Sequence, residues 1–148
     1  MAGVLGTAQT AEVATGTSKK TLLQIIAASN HRVKITEFSI SFDGTSNTAA
    51  PILVQLLRQT DAGTMSSLTC QKMNEADDET LQTTAQHTAT AEPTGTTEVM
   101  GEQVHPQGGY TWQAPFGGEI IVKGGNRLAI AVTAGADVNA KARFVFEE

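Results

Sequence analysis

The sequence predicts an all-β protein: a single antiparallel β-sandwich of about 8–10 short strands with an extended N-terminal arm. Three observations predict it. Apolar residues recur with period two, most plainly in Val138, Ala140, Ala142, Phe144 and Phe146, with Asn139, Lys141 and Arg143 facing the other way. These runs are short and are cut by Gly, Pro, Asn and Asp, as at Lys123-Gly124-Gly125-Asn126. No long 3.6-residue periodicity and no tandem repeat interrupts them. One domain is expected over residues 11–148, behind an arm at residues 1–10.

Met1 to Thr10 is small and polar except for Val4 and Leu5. Alone it cannot bury enough apolar surface to offset its ordering entropy. Two readings stay open: a neighbouring molecule holds it down, or it folds onto its own domain. Strand signals begin at Glu12-Val13-Ala14 and turn at Thr15-Gly16-Thr17-Ser18. Leu23, Ile25 and Ala27 alternate next. The following strand starts on one phase with Val33 and Ile35 and continues on the other with Phe38, Ile40 and Phe42. One extra residue produces such a change, so a bulge is expected near Thr36-Glu37. Ile52 to Leu57 is apolar on both faces, the mark of a central strand. Ser66 to Met73 reads as a further strand and Asn74 to Glu79 as an acidic loop. Ala85, His87, Ala89 and Ala91 alternate against Thr and Gln, a small-residue strand that would let another surface approach closely. After a weaker strand over Val99–Val104, the stretch Gly108–Phe146 reads as four strands: Tyr110/Trp112/Ala114, Ile120/Val122, Leu128/Ile130/Val132 and the run from Val138.

The composition narrows the function. A net charge of −5 with one adjacent basic pair, Lys19-Lys20, argues against nucleic acid as a partner. A single cysteine, Cys70, excludes an intrachain disulfide framework and reads as a small apolar filler. MAGVLGTAQTAEV has no basic start and no continuous apolar core, so it does not read as a signal peptide. No run approaches the ~20 apolar residues of a membrane-spanning helix, and no membrane partner is expected.

No catalytic, cofactor or metal site is expected. Gly16-Thr17-Ser18-Lys19-Lys20-Thr21 lacks the Gly-Lys pair and the earlier Gly of a phosphate-binding loop, and a strand follows it. His31, His87 and His105 are scattered, without ligand spacing. Asp43–Asn47 and Glu75–Glu79 carry oxygen ligands but match no calcium loop and read as solvated. Phe38, Phe42, Phe144 and Phe146 fall on the apolar phases of their strands. Only Tyr110, Trp112 and Phe116 are open to another role as exposed aromatic contacts, with core packing favoured for Trp112 because it shares a phase with Tyr110.

Three stretches carry a resemblance: ATGTSKKTLLQIIAASNHRVKITEFSISFDGTSNTAAPILVQLLRQT (residues 14–60), DETLQTTAQHTATAEPT (78–94) and YTWQAPFGGEIIVKGGNRLAIAVTA (110–134). They are strand and turn patterns covering more than half of the chain. In them the chain resembles jelly-roll capsid decoration (cement) proteins of tailed bacteriophages. The resemblance implies a structural virion protein, made in the host cytoplasm, that sits as a homotrimer on the outer capsid surface. Its partners would be the major capsid protein and its own copies, and it would use no cofactor. The arm, through Val4, Leu5, Thr7 and Gln9, would then contact the capsid, and Ala85, His87, Ala89 and Ala91 the neighbouring subunit. A carbohydrate-binding jelly-roll module of a phage tail or fibre is the alternative, needing Tyr110, Trp112 or Phe116 exposed in a concave site. A metal-dependent enzyme of the cupin type would need the histidines to converge.

Overall fold

The computed structural model describes residues 3–46, 49–95 and 97–148. In chain order the strands are β1 (Leu5–Gln9), β2 (Val13–Ala14), β3 (Lys20–Ile26), β4 (Val33–Phe42), β5 (Ile52–Gln59), β6 (Thr64–Leu68), β7 (Gln71–Lys72), β8 (Thr84–Ala91), β9 (Thr97–Val104), β10 (Gly109–Gln113), β11 (Ile120–Val122), β12 (Arg127–Thr133) and β13 (Asn139–Glu147). They form two antiparallel sheets packed against each other. Sheet A runs β10-β4-β13-β1-β7, with β11 on β4 and β2 on β13; sheet B runs β6-β8-β3-β12-β5-β9. The strands outnumber the expected ones because the N-terminal segment adds β1 and the Ser66–Met73 stretch yields two short strands, β6 and β7.

The inner faces supply the core. Val33, Ile35, Phe38, Ile40, Phe144 and Phe146 of sheet A meet Leu23, Ile25, Leu56, Leu128, Ile130 and Val132 of sheet B, all essentially buried. The expected bulge is present. Val145 pairs with Glu37 and Phe146 with Ile35, so Thr36 is the extra residue in β4. It lets Ile35 and Phe38 both point inward. β5 lies between β12 and β9, a central strand as its two-sided apolarity predicts. The expected strand over Ser66–Met73 divides into β6 of sheet B and β7 of sheet A, so the chain changes sheets there.

The N-terminal segment is folded onto its own domain. Leu5–Gln9 is β1, paired from Leu5↔Glu147 to Gln9↔Arg143 with β13, and on its other side with β7 at Gly6↔Lys72 and Thr7↔Gln71. Val4 exchanges backbone hydrogen bonds with Glu148 at 2.9 and 3.0 Å. Val4 and Ala8 are buried, and Leu5, Thr7 and Gln9 alternate outward. The physical reason lies in the small residues that made the segment read as an arm. Gly6 sits against the Phe146 ring, where a Cβ would come within 2.6 Å of Cζ. Met1 and Ala2, the start of the expected arm, lie outside the described residues.

β12 departs from simple alternation. Ala129 and Ala131 are as fully buried as Leu128, Ile130 and Val132. Ala129 pairs with Gln24 on one side and Leu57 on the other, so this second buried row lies on the outer face of sheet B. Chain segments cover that face and bond to it: the Asp61 carbonyl accepts from Gln24, and Glu92 accepts from Thr21.

Gly6→Val should force the Phe146 ring out of its place and lower stability by about 1–3 kcal/mol in urea unfolding. Leu5→Ala, one position away and pointing outward, should change stability by no more than ~0.5 kcal/mol. Equal effects would show that β1 does not pack as described.

Candidate functional site

The small-residue strand is not the open surface its alternation suggests. Thr88 adopts φ 55°, a left-handed conformation rare for a β-branched residue, and breaks the period of β8. Against β6, Ser66 pairs with His87 and Thr64 with Ala91, so β8 carries the surplus residues of a bulge. Ala85, before the bulge and paired with Ile25, belongs to the inter-sheet core, and Ala89 is also buried within the subunit. Their side chains face inside their own subunit and are not available for contact with a neighbouring one. His87 is half-buried and Ala91 exposed, and β8 is flanked on both sides by β3 and β6.

The aromatic segment divides by residue. Tyr110 and Trp112 lie on edge strand β10 and pack on Phe38, with ring centroids 5.9 and 5.8 Å apart. Both are half-buried against the core. Phe116 is fully exposed, at 105% relative accessibility. β10 and β11 follow the same antiparallel course along β4, Gly109–Gln113 against Ser41–Glu37 and Ile120–Val122 against Ile35–Val33. The intervening loop carries Phe116. Its start is tied down where Ala114 N–H donates to the carbonyl of the bulged Thr36 at 2.8 Å. Gly118 N–H donates to Pro115 O at 2.8 Å, and Gly117 has φ 81°, as the third residue of a type II turn requires. The turn thus holds an apolar ring out in solvent, with half-exposed Ile121 on the following strand.

The outer face of sheet B carries a polar cluster. Arg127 Nη1 donates to Gln24 Oε1 (2.8 Å), Gln24 Nε2 to Gln59 Oε1 (2.7 Å), Gln59 Nε2 to Thr21 Oγ1 (3.0 Å), and Thr21 Oγ1 to Glu92 Oε2 (2.6 Å). Thr21 and Gln24 are completely buried and Gln59 nearly so. Every bond in this chain points the same way, from guanidinium to carboxylate. Sequence reading did not single out this cluster. The available signal was the setting of Gln24 in Leu-Leu-Gln-Ile-Ile and of Gln59 after Ile52–Leu57, runs too apolar to have a wet face. Beside the cluster, Arg58 and Arg127 line a hollow of about 360 Å³ at the end of β5 and β12.

The histidines occupy separate settings. His31 Nε2 is 3.7 Å from Glu148 Oε2, His87 Nδ1 is 2.8 Å from Thr88 Oγ1, and His105 Nδ1 accepts the Gln107 N–H. Among the described residues, no three His, Cys, Asp or Glu side chains come together as metal ligands. Asp43 is engaged by Asn139, whose side-chain amide and backbone N–H hold its carboxyl below the usual range. Asn47, at the end of that expected loop, lies outside the described residues. In the Glu75–Glu79 loop the Lys72 ammonium donates to the Asp77 and Glu79 carbonyls, so the chain supplies its own cation there. The Cys70 thiol is pushed up to about 11, by burial first and then by the Glu148 carboxylate, and is a poor nucleophile at neutral pH.

Glu148 clamps the approach to β8. Its carboxylate accepts from Gln82 N–H, Thr83 N–H and the Thr83 hydroxyl. Burial would raise this carboxyl, but those bonds and the charge of His31 outweigh it and hold the group below its ordinary value of 4.5. Comparison of the chain with protein-family models, with curated proteins and with solved structures finds no match.

A depressed carboxyl contributes stability that is complete above its unfolded-state value and lost as pH falls through the folded-state value. Glu148→Gln should therefore cost about 1–3 kcal/mol at pH 7. The gap to the parent should close as pH is lowered from about 5 toward 3 in thermal melts. A pH-independent gap would refute the clamp. Gln24→Leu should cost at least ~1 kcal/mol by stripping Arg127 and Gln59 of partners, and Gln24→Leu with Gln59→Leu should cost less than the sum of the two.

Proposed function

We propose that this protein is a structural virion protein that binds the outside of a phage capsid as a homotrimer and stabilises the shell by contact alone. The observation that carries the reading is the display of Phe116. A large apolar ring held fully in solvent on a hydrogen-bonded turn favours a protein partner, because aromatic anchors dominate the buried centres of interfaces. The backbone that carries it is already hydrogen-bonded, which lowers the entropy cost of ordering the loop on association.

The three stretches that resemble decoration proteins add to this reading. The outward residues of β1 find a place in it. Leu5, Thr7 and Gln9 share the outer face of sheet A with Val145 and with Arg143, which is ion-paired to Glu37. In this reading they meet the capsid as part of a flat sheet face. Many copies, each burying on the order of 1,000 Å², would stabilise a shell without chemistry. A carbohydrate-binding role is less well served, since Tyr110 and Trp112 rest on Phe38 and Phe116 stands apart from them on its turn.

Light scattering of the purified protein should give a trimer, and cosedimentation with expanded empty shells should give saturable binding. Phe116→Ser should weaken shell binding by roughly tenfold or more without changing the melting temperature. A monomer without affinity for shells would refute the proposal, and a glycan array hit abolished by Phe116→Ser would favour the carbohydrate-binding alternative.

A further inference from the structure

Among the described residues four large apolar side chains stand exposed: Phe116, Ile121, Leu5 and Met73. The register of sheet A brings three of them into one row. Ile121 of β11 is opposite Lys34 of β4, Lys34 is opposite Glu147 of β13, and Glu147 is opposite Leu5 of β1. Met73, next after β7, donates its N–H to the Leu5 carbonyl at 2.9 Å. Residues directly opposite in neighbouring strands project from the same face. Here it is the outer face, since their chain neighbours Ile120, Val122, Val33, Ile35 and Phe146 are buried in the core. Phe116, the fourth exposed group, stands on the turn that leads into β11. A parallel row two positions along, Thr111, Ser39, Arg143 and Gln9, holds no apolar side chain.

Exposed apolar side chains scattered singly need no explanation, but three in one register do. Lys34 and Glu147 divide the row at its middle. The ion pairs among the described residues are His31–Glu148 and Arg143–Glu37, so these two adjacent opposite charges are not paired with each other. The Glu147 carboxylate accepts the Gly3 N–H at 3.2 Å instead. Both side chains are half-buried, and their aliphatic stems continue the apolar surface between the two ends. The row therefore runs apolar, cation, anion, apolar. Strands lie about 4.8 Å apart, which sets Ile121 and Leu5 roughly 14 Å from each other. We propose that this row is a docking surface for a protein face with two apolar side chains at that spacing and, between them, an acidic group over Lys34 and a basic group over Glu147.

The partner is the outer face of the capsid protein, an assignment that rests on the function proposed above. Phe116 anchors one end of the contact, and Leu5 with Met73 supplies a second apolar anchor at the other. The charge order between them admits one orientation of the partner. Its reverse would set like charges together without solvent to separate them. Both ends are held before the partner arrives: Arg58 Nη1 of sheet B donates to the Ile121 carbonyl at 3.1 Å, and β1 lies between β13 and β7.

The test is cosedimentation of the full chain with expanded empty shells, with thermal melts to confirm that each variant is folded. Ile121→Ser and Leu5→Ser should each weaken binding by ~10-fold or more, as truncation of an interface anchor does. Lys34→Glu should weaken it further than Lys34→Gln, which removes the charge without setting a like one against the partner. Gln103→Ser, at an exposed position on β9 of the other sheet, should have no effect. A second readout needs no substitution: peroxide should oxidise exposed Met73 in the free protein and should do so several-fold more slowly on shells. If Phe116→Ser loses affinity while Ile121→Ser, Leu5→Ser and Lys34→Glu bind like the parent, the docking row is overturned and the capsid reading stands. Equal oxidation of Met73 with and without shells would overturn the row as well. A parent without affinity for shells overturns both. Loss of the trimer in Ile121→Ser or Leu5→Ser would also overturn the proposal, by assigning the row to a second copy of this chain.

Discussion

The extra residue at Thr36 is the constraint on which most of this structure depends. Without it, β4 could place either Val33 and Ile35 or Phe38 and Ile40 in the core, but not both sets, because side chains in a regular strand alternate faces. The bulge resolves that conflict in the middle of sheet A. Its consequences reach the periphery. Phe38, correctly turned inward, becomes the ring against which Tyr110 and Trp112 pack. The carbonyl freed at Thr36 receives Ala114 N–H at the point where the edge departs from β4 and presents Phe116. One inserted residue thus links core register to the shape of an exposed edge.

Sheet B answers a different demand. It is buried on its inner face by sheet A and on part of its outer face by its own connections, so its central strands have no wet side. Polar residues on those strands must then find partners inside, since an unpaired buried amide costs about 1–3 kcal/mol. The line from Arg127 through Gln24, Gln59 and Thr21 to Glu92 satisfies the demand, each group donating to the next. An ordered chain of this kind favours one packing of the covering loops over others. It also leaves a guanidinium at its donor end facing a hollow.

Phe116 and Arg127 represent two kinds of surface group on one scaffold. The first is an apolar ring on a turn closed by a backbone hydrogen bond. The second is a guanidinium held by the buried amides of Gln24 and Gln59. The half-buried Cys70 thiol is held in its neutral form at pH 7.

The sequence by itself determined the all-β class, the alternating core of β4 and β13, the bulge at Thr36 and the central position of β5, because these follow from local periodicity and its breaks. It also separated Tyr110, Trp112 and Phe116 from the phenylalanines on apolar phases, but not Phe116 from the other two. Only the tertiary structure decided the rest. Gly6 makes β1 a strand, because the ring it accommodates, Phe146, lies 140 residues along the chain. Thr88 breaks the alternation of β8 between Ala85 and Ala89, through a backbone conformation no residue pattern announces. Gln24, Gln59 and Arg127 become one cluster only when β3, β5 and β12 lie side by side. Period two tells which residues share a face, but not whether that face meets water, another sheet or the chain's own loops.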